Sequence, residues 1–444
     1  MIGLASLTRT AIIPFAAVLL ASAAAAQTAP KPASVDQSAP DTPAQGTVAP
    51  GAAPGQPPAP PPPSSFTTSG AFSFSAALTA DVLADVAGGI THGVKLLTKS
   101  NLSVTYDGGA ANHPGWSGQA SIQYTKGGHI SAANVGDVQG LDDIEATNAL
   151  RLYELWLARQ WQGGKYGVKF GLTDLNVDFD TQQVAALFIN SADGIGPEFG
   201  HSGLNGPSIY PTTTLGLSGF VKPSDAWTLR AGAFNGLAGA YAHPGAFVAI
   251  DISARNGALL VVQAEHTGAS GLRSEVGAWT YTASYDELHA VDGAGNPLRA
   301  ARMRGVYGLV EGQIYKFGDH PVAGWLRIGL GDPKVERVSG YVGLGLVTSG
   351  LLKGRAEDQA GISINHAIVD EPNLPPLAAP AKRAETAVEL TYRIQARDWL
   401  AVQPDLQYVH RPNGDPAIAS ALVVGVRLSV NLTRNLVQQF KGDN

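Results

Sequence analysis

The 444 residues include no cysteine, so neither disulfides nor a thiolate metal site can hold the chain together. Lysine and arginine number 30 against 36 acidic residues and form no basic tract, which argues against nucleic acid as a partner. Glycine is abundant at 53 and charged residues make up only 15%, a composition that suits strands that curve.

Met1 to Arg9 carries one positive charge, residues 11–22 (AIIPFAAVLLAS) are apolar, and Ala24, Ala25 and Ala26 are small. This three-part layout predicts a secretory leader, residues 1–26, cleaved after Ala26. Its removal leaves 29 basic against 36 acidic residues, a net charge of about −7. Residues 27–65 contain 12 prolines and almost no large apolar side chain. Such a stretch cannot bury enough surface to offset its ordering entropy and reads as a disordered periplasmic spacer. No later apolar run is long enough for a membrane helix, so the exported chain is either soluble or a closed barrel.

From Phe66 the pattern changes to short period-two segments separated by Gly, Asp, Asn and Pro turns. They fall near 71–84, 92–106, 115–126, 149–161, 166–175, 212–222, 226–235, 257–266, 272–285, 303–316, 321–330, 338–348, 358–367, 384–395, 399–409 and 419–432. In the last, Leu422, Val424, Val426, Leu428, Val430 and Leu432 share one face, while Gly425, Arg427, Ser429 and Asn431 take the other. Strands of about ten residues match a tilted crossing of the hydrocarbon layer. The expectation is an all-β fold, a transmembrane antiparallel up-and-down β-barrel of about 16 strands spanning 66–432, with a tail at 433–444. The apolar face should meet lipid and the polar face line a wet channel. Pro404 lies inside a strand and predicts a local bulge.

Two stretches carry more than periodicity. The first holds RLYELWLARQW, GLTDLNVDFD, AALFINSADGIGPEF and YPTTTLGL between Leu150 and Phe220; the second holds AVELTYRIQARDWLAVQPDLQYVHRPNG and ALVVGVRL between Glu385 and Leu432. With Gly115-Trp116 and WTLRAGAFNG at 227–236 in order, the chain resembles the carbohydrate-selective porin (OprB) family over roughly 90–432. The resemblance implies a sixteen-stranded barrel in the outer membrane of a Gram-negative bacterium, passing glucose and similar small sugars passively through a narrowed pore. Implied partners are outer-membrane lipid and lipopolysaccharide and the barrel-assembly machinery, with the barrel a monomer or homotrimer. The proline-rich stretch and the residues from Thr433 to Asn444 depart from the shared region.

Parity assigns the candidate pore lining. Glu385, Glu389 and Arg393 stack along one wall about 13 Å apart per four residues, and Gln403, Asp405 and Gln407 share the polar face of the next strand. Glu154, Trp156, Arg230, Glu311, Gln313 and Arg327 complete the set. Carboxylate, amide and guanidinium groups together suit sugar hydroxyls, which both donate and accept. Trp156 reads as a ring that stacks on a sugar or as a girdle residue; Trp325 and Tyr341 read as girdle residues.

The long stretch 176–211 contains AALFIN, apolar enough to fold back into the barrel and narrow it. Asp174, Asn176, Asp178 and Asp180 at alternate positions make an acidic constriction or, loosely, a calcium loop. No cofactor and no metal are called for, and no nucleophile elbow, HExxH or phosphate loop occurs. A glycoside-hydrolase-like enzyme using Glu385 and Glu389 is poorly placed, because both sit on one wall rather than across a bond. A general, non-selective porin is the other alternative.

Overall fold

The computed structural model describes residues 71–370 and 383–433, apart from 241, 254 and 319. The leader, the spacer and the tail beyond 433 lie outside the described residues.

The strands are β1 (Phe72–Gly89), β2 (Gly93–Asp107), β3 (Trp116–Lys126), β4 (Ala149–Trp161), β5 (Tyr166–Thr173) and β6 (Thr214–Ser224). They continue as β7 (Trp227–Asn235), β8 (Ala258–Thr267), β9 (Arg273–Tyr281), β10 (Tyr285–Val291), β11 (Pro297–Ala301) and β12 (Arg304–Phe317). The last are β13 (His320–Gly331), β14 (Val338–Ser349), β15 (Gln359–Val369), β16 (Arg383–Arg397), β17 (Leu400–His410) and β18 (Ala419–Thr433). Sixteen close into one antiparallel barrel in which β18 pairs with β1, while β10 and β11 form a separate hairpin between β9 and β12. Closure removes the edges that would leave backbone groups unpaired in lipid.

Short turns connect strands at one end of the barrel and long loops at the other, including 127–148, 174–213 and 236–257. The outer surface is apolar: Leu102, Leu155, Phe170, Leu217, Val276, Leu344 and Leu390 are all exposed there. Aromatic residues gather at the turn end, where Trp161 stacks on Tyr166 and the ammonium groups of Lys165 and Lys222 lie over Tyr166 and Phe220. Rings with a polar head beside them suit the boundary between hydrocarbon and water.

Three local expectations fail. Pro404 causes no bulge: Thr391 opposite Asp405 and Ile394 opposite Val402 keep one register on both sides of it. Trp325 and Tyr341 are not girdle residues, since both point inward and are buried. On β9 the apolar face, Trp279 and Tyr281, is likewise the inner one, and the strand ends at Tyr281. The last two failures share a cause. Something apolar fills that side of the lumen.

Candidate functional site

The filling is the loop 174–213, which leaves β5, crosses the lumen to pack against β13, β14 and β15, and returns to β6. Its Leu175, Phe179, Ile195, Phe199 and Ile209 form one buried cluster with Phe234, Leu259, Val261, Trp279, Tyr281 and Tyr307 of the wall. Phe199 stacks on Trp279 at 4.9 Å between ring centroids. Each fully buried phenylalanine contributes about 1.5–3 kcal/mol. Leu187 and Phe188 at the tip of the loop pack on Ala323, Trp325 and Val347.

Charged wall residues hold the same loop. Arg327, fully buried, donates to both oxygens of Asp180 (2.8 and 2.6 Å) and of Glu198 (3.1 and 2.6 Å). The rings of Tyr307 and Tyr341 lie 5.6 and 5.3 Å from its guanidinium carbon. Gly196 and Gly329 flank this group so closely that a Cβ at either would overlap Arg327 or Glu198. Glu311 accepts from the backbone N–H of Gln183 (2.9 Å) and Val184 (2.8 Å) and from Arg273 (2.5 Å). Glu389 accepts from the N–H of Ile189 and Asn190, both at 2.8 Å. Gln407 accepts from the Asn190 side chain at 3.0 Å.

A second loop, 127–148, folds in beneath the long-loop end. Its Ile130, Val135, Leu141 and Ile144 pack on Leu83, Leu97, Ala387, Val409 and Val423. Glu385 accepts from the N–H of Val138 (2.9 Å), Gln139 (3.1 Å) and Asn413 (2.5 Å). Each of these glutamates therefore binds two successive N–H groups of an in-folded loop, the charge-assisted bond that most strongly pins a loop to a wall. His201 Nε2 donates to Val138 O at 2.8 Å and so ties the two loops together. Burial and the nearby Arg337 push this imidazole down to about 4.

Across the loop from this packed side lies a cavity of about 340 Å³. Its wall is the inner face of β1–β4 and β16–β18: Ser75, Thr79, Asn101, Ser103, Gln119, Ser121, Arg393, Gln403 and Ser429 among others. The loop side contributes Asp174, Gln182, Asn190 and Asp193. Burial pushes Asp193 up to about 8 and Asp174 up to about 6.

Of the expected lining residues, Glu154, Asp174, Arg393 and Gln403 reach this cavity. Trp156 stands beside it; its indole N–H donates to Glu154 at 3.2 Å, and Lys169 covers its ring at 5.5 Å. Glu311, Arg327, Glu385, Glu389, Asp405 and Gln407 face inward as parity requires, yet all are buried under the loops rather than wet. Arg230 faces inward and pairs with Glu265 at 3.1 Å, away from the cavity. Gln313 is exposed where a bulge between it and Tyr315 shifts the register of β12. In the acidic run, Asp174 accepts from the Tyr153 hydroxyl, Asp178 pairs with Lys169, Asp180 with Arg327, and the Asn176 amide donates to two carbonyls, so the four side chains point to separate partners.

Parity could have found the amide and hydroxyl wall of β2 and β3, where Asn101, Ser103, Gln119 and Ser121 alternate. It could not have found Tyr153: a bulge opposite Ser121 and Ile122 turns both Tyr153 and Glu154 inward. Nor could it have placed the cluster at Arg427, whose Nη2 reaches Asp81 (2.7 Å), Asp142 (3.2 Å) and Asp143. Among the described residues this is the acidic group compact enough for a metal ion, and Arg427 occupies it.

A closed sixteen-stranded barrel with a lipid-facing apolar belt and a lumen narrowed by an in-folded loop defines a porin. The sequence model of the carbohydrate-selective porin, OprB family, matches residues 107–432, and the chain belongs to that family. Porin B of Pseudomonas aeruginosa is 27% identical over 341 residues, 68% of this chain and 71% of that protein. The high-pH structure of Pseudomonas putida OprB shares the fold at a TM-score of 0.71 and 19% identity, covering 82% of this chain and 94% of that one. The outer membrane channel DcaP of Acinetobacter baumannii gives 0.51 at 9% identity, over 81% of this chain and 97% of its own. The protein is thus a carbohydrate-selective porin of the Gram-negative outer membrane.

Proposed function

We propose that small sugars such as glucose diffuse passively through the wet side of the lumen, between the loop tip at 185–194 and the wall of β1–β4 and β16–β18. The observation that carries this is the cavity lining, in which Ser, Thr, Asn and Gln alternate along neighbouring strands. Such groups replace the water partners of sugar hydroxyls without the strong binding that would hold the solute back. Glu154, Asp174, Arg393 and Gln403 supply the charged and amide contacts. Short turns in such barrels face the periplasm, which puts the long loops outside.

The barrel performs no chemistry in this reading. The two carboxylates offered for glycosidic cleavage, Glu385 and Glu389, are each consumed by backbone N–H groups of a loop. The barrel-assembly machinery would insert the chain, and it would work as a monomer or homotrimer; cross-linking in detergent separates the two.

The test is a reconstituted bilayer. Added glucose should reduce the ionic current in a concentration-dependent way, and Arg393→Ala should shift ion selectivity toward cations and weaken the block. A current indifferent to glucose would overturn the sugar path.

A further inference from the structure

Among the described residues, four inward-facing arginines are already neutralised by carboxylates. Arg230 holds Glu265; Arg273 holds Glu265, Glu275 and Glu311; Arg327 holds Asp180 and Glu198; Arg427 holds Asp81, Asp142 and Asp143. Arg393 faces the cavity, is partly exposed, and makes no ion pair or side-chain hydrogen bond among the described residues. Leaving a guanidinium unpaired at a half-enclosed site forgoes the charge-assisted bonds this group makes best, and its planar fork matches a carboxylate.

We infer that the cavity takes sugar acids, polyhydroxylated monocarboxylates, with the Arg393 guanidinium as partner of the carboxylate and amide or hydroxyl side chains beside it as partners of the hydroxyls. This rests on the sugar path proposed above. Gln403 lies on β17 beside Arg393, between the pairs Thr391–Asp405 and Ile394–Val402. Its amide nitrogen donates to Leu187 O and Thr391 Oγ1, and its carbonyl oxygen is left as an acceptor. Arg427 is opposite Gln403 on β18, and Ser429 and Asn431 come further along that strand. Two amides and a hydroxyl thus sit within one or two strands of the cation.

The acids around the cavity do not cancel the charge of Arg393. Asp143 is taken by Arg427, and Glu154 accepts from Gln119 at 2.6 Å and from Trp156. Asp174 accepts from the Tyr153 hydroxyl and from Asn176 N at 2.8 Å. Asp193 accepts from Ser363 at 3.0 Å, and burial raises it to about 8, which disfavours its charged form. Asp143 and Glu154 still oppose a second negative charge on the solute, so the site suits a monoanion. At about 340 Å³ the space lies at the small end of small-molecule sites, which run roughly 300–1,000 Å³.

The experiment uses the full chain in a planar bilayer in dilute KCl at neutral pH, with glucose, gluconate, acetate and glucose 6-phosphate as probes. Gluconate should block at a concentration about ten-fold lower than glucose, the worth of one added charge-assisted pair at a wet site. Acetate should block less than gluconate. In Arg393→Gln the gap between gluconate and glucose should shrink to about two-fold, while unboiled electrophoretic migration confirms the folded barrel. Glucose block with no gain for gluconate, equal block by acetate, or tighter block by glucose 6-phosphate would each overturn the inference and leave the sugar path standing. Absence of block by glucose and gluconate alike would remove the sugar path, and this inference with it.

Discussion

The two sides of the lumen are built from strands of the same parity and do opposite things. On β7, β8, β9 and β12 the inward residues Phe234, Val261, Trp279 and Tyr307 meet the apolar side of loop 174–213 and form a dry core. On β1, β2 and β3 the inward residues Thr79, Asn101, Ser103 and Gln119 meet a cavity. The loop is a partition: one face is packed into the wall and the other is the boundary of the pore. Facing inward in a barrel is therefore not the same as being wet. The charges illustrate it. Arg327 and Arg393 both point inward, but the first is a fully buried clamp on the loop and the second is partly exposed to the cavity.

The largest effect should come from the clamp. Arg327→Ala strands Asp180 and Glu198 in the dry side, and breaking a buried ion network in this way costs about 3–5 kcal/mol. The heat-induced shift of the unboiled band should fall to a lower temperature, and single-channel conductance should rise as the loop loosens. Asp180→Asn and Glu198→Gln added to that variant should recover part of the loss. A conductance and transition like those of the parent protein would mean the partition does not depend on this clamp.

Glu389→Ala should follow. It leaves the N–H groups of Ile189 and Asn190 without their acceptor, a cost of about 1–3 kcal/mol at a buried site, and should show as noisier open-channel current rather than loss of the barrel. The tie between the loops should respond to acid. A His201 held at about 4 when its ordinary value is 6.5 stays neutral in the closed arrangement and gains a proton when released. The closed arrangement of the two loops is therefore at full strength above about 6.5, weakens as pH falls toward 4 because burial and Arg337 oppose the charged ring, and changes no further below that. The partial exposure of the ring limits the loss to about 1–2 kcal/mol. Current fluctuations should increase over that window in the parent protein and not in His201→Gln. The smallest effect belongs to the wet wall: Asn101→Ala should alter stability by no more than about 0.5 kcal/mol while changing the concentration of glucose that blocks. A large stability loss there would place Asn101 in a packed core and blur the division between the two sides.

Much of the fold was legible in the chain itself. Period two over about ten residues is a local property, set by side chains that alternate across each strand, and it located all sixteen barrel strands to within a few residues. The motifs from Leu150 to Phe220 and from Glu385 to Leu432 pointed to the family for the same reason: they are contiguous. The AALFIN stretch announced a loop that folds inward because an exposed apolar loop has nowhere else to go. Parity also put Glu385, Glu389, Arg327 and Arg393 on the inner face. What only the tertiary structure decided is which inward residues are covered. That depends on where a loop leaving β5 lands on β13 to β15, a contact between segments more than a hundred residues apart, as in Asp180 with Arg327. Wet and dry inner walls carry the same alternation, so the division of the lumen, the service of Glu311, Glu385 and Glu389 as loop anchors, and the isolation of Arg393 arise from packing and not from any local pattern of residues.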